Sequence, residues 1–473
     1  MRDETKARRI GSTMAAIAAM ALTLALAACS ADKPEPEDAD AAERTTIKVL
    51  FYDENSFFMQ LGNLFLMQHP EIDIEVVSQQ SIYQSGNDPI EGLKALIEKE
   101  KPDVLFAGEY NFEALRDAGL MYELDALLAQ DETFLEGMLP AAIDKMRSMG
   151  GGKLYGLAPT FSSEAVFYNK GLFEEYGVPL PNDGMTWDEL LALAEMFPQD
   201  GPEEERVYGL EAFGNAGAWA LLRFGQEQGL VYVDPVARKV TLHTESWREA
   251  LETLLRIVRS DAVYSPKPME MSMGQTYEDY LRRDLFLSGR LAMRFNHAYY
   301  LNELKQAGDR LPEAAELDWD LVTVPVRPEA PGVTTSFRLN DIFAIYSGSA
   351  NVEAAWKFIR FVHSDDFARV TARAPVMGGL PVRTEYIRND EGKNLEAFYA
   401  LAPSDAMTGS ELAELPQSFA ERFYPMLEEV WNRLLAEELT AEEALQRMET
   451  EGQVLLDAAY EEEAARSDAA EAE

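Results

Sequence analysis

The chain has 473 residues, 47% of them hydrophobic, and a formal charge of −41. That length supplies a core large enough for two domains or one bilobal unit, at roughly 150 residues per domain. A single cysteine rules out an internal disulfide framework. So acidic a surface repels nucleic acid and anionic headgroups, and it solvates the chain without naming a cationic ligand.

Arg2, Lys6, Arg8 and Arg9 open the chain, and an apolar or small run over 10–28 ends in Leu26-Ala27-Ala28-Cys29. A basic head, an apolar stretch and small residues before a cut predict a secretory signal peptide over 1–28. The run approaches the length of a membrane span, but an uncleaved anchor leaves the cysteine unexplained. A cysteine directly after Leu-Ala-Ala resembles the lipobox cut by lipoprotein signal peptidase. That resemblance implies a diacylglyceryl group on Cys29 and a lipoprotein held on the extracytoplasmic face of the cell membrane. Removing 1–28, with its four basic and two acidic residues, brings the charge to −43. Residues 29–44 hold the lipidated Cys and an Ala-, Asp-, Glu- and Pro-rich stretch without apolar period, expected as a disordered tether. Residues 461–473 have a similar composition and read as an acidic tail that frays.

Between these ends the pattern alternates strand and helix. TTIKVLFY at 45–52 reads as a first strand, and Phe57, Leu61, Leu64, Phe65 and Gln68 step at helical spacing until His69-Pro70. A strand follows over 72–77, a helix over 91–99, a buried strand over 102–107, and a helix over 111–118 closed by Gly119. Such alternation predicts parallel βαβ units whose strand-end loops face a common crevice. GGKLYG at 151–156 opens a second section with a strand near 165–168. Thr186 and Glu189 form a capping box, as do Thr440 and Glu443. Further helices fit 245–259, 275–288 and 352–363, and strands fit 291–295, 321–326 and 342–345.

The stretch from Gly152 to Asn169, GKLYGLAPTFSSEAVFYN, continues into KGLFEEYGVPLPNDGMTWDE. It resembles the family 1 extracellular solute-binding proteins, the receptor subunits of ABC importers, whose pattern is G-K-x-Y-G-x-P, Y-Y-N-K-x-L-F, G-V and a T-W-D-E helix start. FLSGRLAM at 286–293, WDLVTVP at 319–325, AAWKFIRFV at 354–362 and GGLPVR at 378–383 resemble the family's later segments in order. The same residues have local reasons: Gly151, Gly152 and Gly156 suit turns, and Phe167, Tyr168 and Phe173 suit a core. Two places depart from the pattern. Asn296-His297-Ala298-Tyr299 stands where the family carries a Trp, and the 334–341 stretch, with Phe337 and Arg338, replaces a Gly-rich one and weighs against a plain neutral sugar.

No sequence signature of chemistry accompanies this pattern. Gly150-Gly151-Gly152-Lys153 fails as a phosphate loop, because Arg147 occupies the first Gly position and Leu154 follows the lysine. His69, His243, His297 and His363 form no metal-spaced pair, and no nucleophile elbow or dinucleotide loop occurs. With 83 acidic residues, a glycosidase pair of carboxylates stays open from sequence alone.

The resemblance implies an α/β, bilobal periplasmic-binding-protein-like fold (type II), two lobes joined by crossing strands with a ligand cleft between them. It places N-lobe pieces at 45–158 and 322–366, and C-lobe pieces at 160–320 and 370–460. The expectation is a monomeric receptor, without cofactor, metal or catalytic residue, that closes its cleft on a carbohydrate or related solute and serves permease subunits of an ABC importer. An exported lipoprotein glycosidase and a sensory binding protein without a transport role are the alternatives. Expected ligand contacts are Glu54, Asn55 and Ser56 after the first strand, and Glu109 and Tyr110 after the third. Thr335, Ser336 and Arg338 are N-lobe candidates from the departing stretch; Phe161, Ser162, Asn296, His297 and Tyr299 come from the C-lobe. Tyr and Phe rings suit the apolar face of a polyol, Asn and carboxylates suit hydroxyls, and Arg338 suits a carboxylate or phosphate.

Overall fold

The computed structural model describes residues 44–84, 88–211, 217–266, 276–339, 341–372, 379–404 and 415–471. Two five-stranded sheets organise it. In the first, Thr45–Phe51 lies parallel to Ile72–Ser78 on one side and to Val104–Ala107 on the other. Ile342–Ile345 runs antiparallel beside Val104–Ala107, and Gly156–Leu157 closes the sheet. All four residues of Val104–Ala107 and of Ile342–Ile345 are buried. That explains their continuous apolar sequence, since a sheet covered on both faces has no polar side to alternate with. Helix Val352–Val362 covers one face: Phe358 packs against Phe57, Phe65 and Phe343. Each such ring stabilises the lobe by roughly 1.5–3 kcal/mol relative to exposure.

The second sheet runs in the order Val263–Tyr264, Tyr208–Glu211, Leu291–His297, Glu164–Asn169 and Trp319–Thr323. Its fourth strand, Glu164–Asn169, divides its side chains between two cores. Phe167 meets Tyr300, Trp319 and Phe398 on one face. Val166 and Tyr168 join Phe173, Trp247, Phe423 and Trp431 on the other, as the two-residue period of a strand requires. Helices Ala218–Glu227, Glu245–Arg259, Gln417–Leu435 and Ala441–Glu471 supply that second face.

The chain crosses between the sheets after Leu157 and after Thr323, and again between Thr371 and Leu395. Short pairings brace the crossings: Thr160–Phe161 with Leu380–Pro381, and Val333–Thr334 with Ala402–Pro403. Arg383, almost fully enclosed, donates to the carbonyls of His363, Glu136 and Phe134.

Several expected boundaries move, each for a local reason. The first helix starts at Glu54 rather than Phe57, because Asp53 accepts the Ser56 N–H as its cap. One of its turns widens until the Asn63 N–H reaches Phe58 O, five residues back. Gly62 sits in that turn, where a Cβ would lie 2.6 Å from the Phe58 ring and 2.7 Å from the Phe57 ring. The third strand begins at Val104, since Asp103 turns its carboxylate to Lys48 N and Ser349 Oγ. The helix expected over 275–288 is Tyr277–Arg283. It ends there because Asp284 takes the N–H groups of Phe286 and Leu287; Gln275 lies outside the described residues. Trp319–Thr323 completes the second sheet, so 322 and 323 lie in the C-lobe rather than opening the N-lobe piece. The expected fraying tail is instead helix as far as Glu471, pinned where both terminal nitrogens of Arg422 donate to Glu462.

Candidate functional site

On the first sheet, Thr45–Phe51 and Val104–Ala107 are parallel and end at the same edge, delivering Tyr52 and Tyr110 there. Tyr52, Tyr83 and Tyr110 are each about half exposed, at 48%, 49% and 45%. The Tyr83 and Tyr110 hydroxyls lie 2.5 Å apart, and the Tyr52 ring packs edge-on against Phe106 at 5.0 Å. Burial raises the Tyr110 phenol above its ordinary value, helped by the Tyr83 hydrogen bond. Burial also raises Tyr52, as does the charge of Asp341. Asp341 itself is pushed up to about 6 by burial. The edge is therefore a set of phenols beside a carboxyl that burial favours in its neutral form: flat apolar faces with hydroxyl tips.

The second sheet contributes charge. Glu164 opens strand Glu164–Asn169, and His297 ends the neighbouring central strand, opposite Glu164 in register. His297 Nε2 stands 3.3 Å from Glu164 Oε1. Arg223 and Glu227 are four apart on helix Ala218–Glu227 and so share a face. Arg223 reaches Glu227 at 3.4 Å and Glu164 at 3.8 Å. Burial pushes the Glu227 carboxyl up to about 8, with the Glu164 charge adding to the rise and Arg223 opposing it. Behind them, Arg294 bridges Glu211 and Asp284, and the Tyr300 hydroxyl donates to Asp284. Glu164, Arg223 and Glu227 line a cavity of about 190 Å³ whose walls include Trp187, Phe295 and Thr335.

A single segment, 333–339, joins the two regions. Thr335 Oγ1 donates to the Glu227 carbonyl, and Ser336 Oγ lies 3.2 Å from Ser163 Oγ. Arg338 and Ser162 exchange backbone hydrogen bonds of 2.8 and 2.9 Å. Phe337 stacks on Phe161 with centroids 5.0 Å apart. Beyond, Leu339 N donates to Glu109 Oε1, and Lys145 Nζ, 3.4 Å from that carboxylate, donates to Phe337 O.

The expected residues fall into distinct groups. Thr335, Ser336, Arg338, Ser162 and Phe161 meet along this segment, where Phe161 is fully buried and the Arg338 side chain is exposed. His297 joins Glu164 and stacks at 5.9 Å on Tyr299, which is 49% exposed. Asn296 accepts the His297 N–H through its own Oδ1. Tyr110 stands on the tyrosine edge. Glu109 is buried beneath it, engaged with Lys145 and Leu339. Glu54 and Asn55 are exposed at the helix start, and both the N–H and hydroxyl of Ser56 are spent on Asp53. Cys29 and Asn340 lie outside the described residues. Sequence reasoning missed Tyr52, Tyr83, Glu164, Arg223, Glu227 and Asp341. Tyr52 and Glu164 were within reach of it, one directly after the first strand and the other inside the 152–169 motif. Arg223 and Glu227 carried only a four-residue spacing common to any helix surface.

Among the described residues, no helix is long and apolar enough to cross a membrane, and no His, Cys, Asp and Glu group could hold a metal ion. The arrangement offers hydrogen bonds, charge and ring faces from two lobes.

A family model described as bacterial extracellular solute-binding protein matches residues 45–368. Putative binding proteins of Brucella abortus (strain 2308) and Brucella suis biovar 1 (strain 1330) are each 30% identical over 288 residues, 58% of this chain and 59% of theirs. The chain thus spans about 59% of the length of the curated relatives it matches. Among solved structures, the sugar-binding protein MalE from Xanthomonas citri is similar with a TM-score of 0.62 at 18% identity, over 87% of this chain and 98% of that one. An ABC substrate-binding protein from Listeria monocytogenes in complex with cycloalternan gives 0.56 at 19%, over 88% and 99%. The cyclic alpha-maltosyl-1,6-maltose binding protein from Arthrobacter globiformis gives 0.58 at 15%, over 87% and 99%. At such identities the likeness shows the fold, two α/β lobes of the periplasmic-binding-protein kind. With the family model covering more than half of its length, the chain belongs to the bacterial extracellular solute-binding protein family.

Proposed function

We propose that this protein is the solute-capturing receptor of an ABC importer, held on the outer face of the cell membrane through Cys29, and that it closes on a carbohydrate or related polyol without altering it. One observation carries the reading: segment 333–339 is fastened to Glu227, Ser162 and Ser163 on one side and to Glu109 and Lys145 on the other. A solute lying along it meets the tyrosine edge of one lobe and the charged cavity of the other. Such a ligand binds the closed form better than the open one, and that difference shifts the population toward closure. Phenol rings with free edges, carboxyls and guanidinium groups match the apolar face and the hydroxyls of a sugar. The solved relatives named for sugars and cyclic saccharides support the same class.

The test is a thermal-shift screen of neutral oligosaccharides, uronates, peptides and phosphorylated solutes, followed by scattering and mass spectrometry on the hits. A true ligand at 100 times its dissociation constant stabilises the native state by roughly 2.7 kcal/mol. It should shrink the radius of gyration and be recovered intact. A hydrolysed saccharide would replace the receptor with a glycosidase; stabilisation by peptides alone would remove the carbohydrate class.

A further inference from the structure

Two carboxylates in the C-lobe cavity share one close guanidinium. Arg223 lies 3.8 Å from Glu164 and 3.4 Å from Glu227, and all three line the same cavity of about 190 Å³. The other groups facing them do not supply an equivalent second cation. Arg294 is committed to Glu211 and Asp284. Arg327 lies over Gly229, its nearest nitrogen 3.0 Å from where a Cβ would stand there. Arg338, exposed on the bridging segment, acts on Glu227 more weakly than Arg223 does. His297 Nε2 approaches Glu164, but its Nδ1 is buried without a hydrogen-bond partner among the described residues. Of these groups, only Arg223 therefore stands within ion-pair distance of Glu227. Two carboxylates around one guanidinium in a partly dry cavity do not both ionise at little cost, and a proton on Glu227 relieves the excess negative charge.

We infer that Glu227, beside Glu164 and Arg223, holds a proton in the folded chain, and that this proton makes solute capture pH-coupled: the cavity offers a carboxylic O–H to an acceptor oxygen of the solute and loses it in alkaline medium. The inference rests on the receptor reading above and adds to it the chemistry of the bound group. A hydroxyl or ring oxygen accepts from a neutral carboxyl, whereas an ionised carboxylate only accepts. Neutralising one charge also lets a uronate approach Arg338 without meeting two anions. The rise of the Glu227 carboxyl to about 8 agrees with this placement of the proton. Glu227 keeps 26% of its side chain exposed, so the cavity mouth reaches it.

Two measurements test the proposal. The first needs no ligand. A carboxyl protonated in the folded chain but ionised in the unfolded one costs the native state stability as pH rises from about 4.5 through about 8, and nothing further above that. The melting temperature of the parent should therefore fall relative to that of Glu227→Gln by about 3 °C or more between pH 5 and pH 8.5. The difference should shrink in a Glu164→Gln background. A merely structural Glu227 gives an offset that does not change with pH, and that result overturns the proton on Glu227. The second measurement titrates maltotriose and trigalacturonate at pH 6.5 and pH 9.0. Parent affinity for the bound probe should drop at least tenfold at the higher pH, while Glu227→Gln stays within about twofold. A probe bound equally at both pH values overturns this inference and leaves the receptor reading standing. Absence of binding by either probe at both pH values removes the solute half of the inference together with the carbohydrate reading.

Discussion

His363 is a neutral imidazole sealed in the N-lobe. It is 2% exposed, and its Nδ1 lies 2.7 Å from Ile359 O. Burial pushes it down to about 4, and the neighbouring Arg383 charge adds to the fall. The unfolded chain takes up a proton near 6.5 that the folded chain refuses until about 4. Its stabilising contribution is complete above 6.5 and is lost as pH falls through 4. That amounts to up to about 3 kcal/mol of acid sensitivity. In His363→Gln, denaturant unfolding at a series of pH values should show a shallower loss between 6.5 and 4, by close to one proton. An unchanged slope would mean that the imidazole titrates in the folded state. At this same scale the sequence was least legible. A lone His363 in AAWKFIRFVH carries no mark of its burial, and Glu227 carries no mark of its partner 63 positions earlier. Their environments are made by chain segments that the local pattern does not encode.

Elements were easier to read. Helix Glu245–Arg259 and strand Ile342–Ile345 lie where periodicity and apolar runs place them. Both capping boxes form, with Thr186 N donating to Glu189 Oε2 at 2.8 Å and Thr440 N to Glu443 Oε2 at 2.9 Å. Interactions within three or four residues decide these features, so the sequence carries them. Where elements ended differently, a distant or unforeseen partner decided: the Asp53 cap, the Asp103 turn, the pinning of Glu462 by Arg422. The bridging segment shows the same dependence. Lys145, on helix Pro140–Met149, holds it through Phe337 O and Glu109, with both side chains under one-tenth exposed. Removing one member of such a pair leaves an uncompensated buried charge. Lys145→Ala should cost about 3–5 kcal/mol in denaturant unfolding. The double change Lys145→Met with Glu109→Gln should recover a substantial part of that loss. Equal destabilisation by both would assign the effect to packing alone.

At the scale of the whole molecule, attachment and architecture have different origins. The proposed anchor rests on Leu26-Ala27-Ala28-Cys29, a contiguous signal read by a processing enzyme from an extended chain. Cys29→Ala should abolish incorporation of labelled fatty acid and leave the precursor uncut; retained label in that variant would refute the assignment. One diacyl group, or two chains, anchors stably where a single chain is marginal. The sequence by itself also determined the α/β class and the order of most elements, because hydrophobic period, caps and breakers act over a few residues. Its ordered motifs implied two lobes. Only the tertiary structure decided that Trp319–Thr323 completes the second sheet and that Tyr52, Tyr83 and Tyr110 gather at one edge. It alone placed Glu164, Arg223 and Glu227 around one cavity. The physical reason is that strand pairing and the packing of a lobe join residues tens to hundreds of positions apart, and charge–charge interactions depend on the distances and burial that such pairing creates.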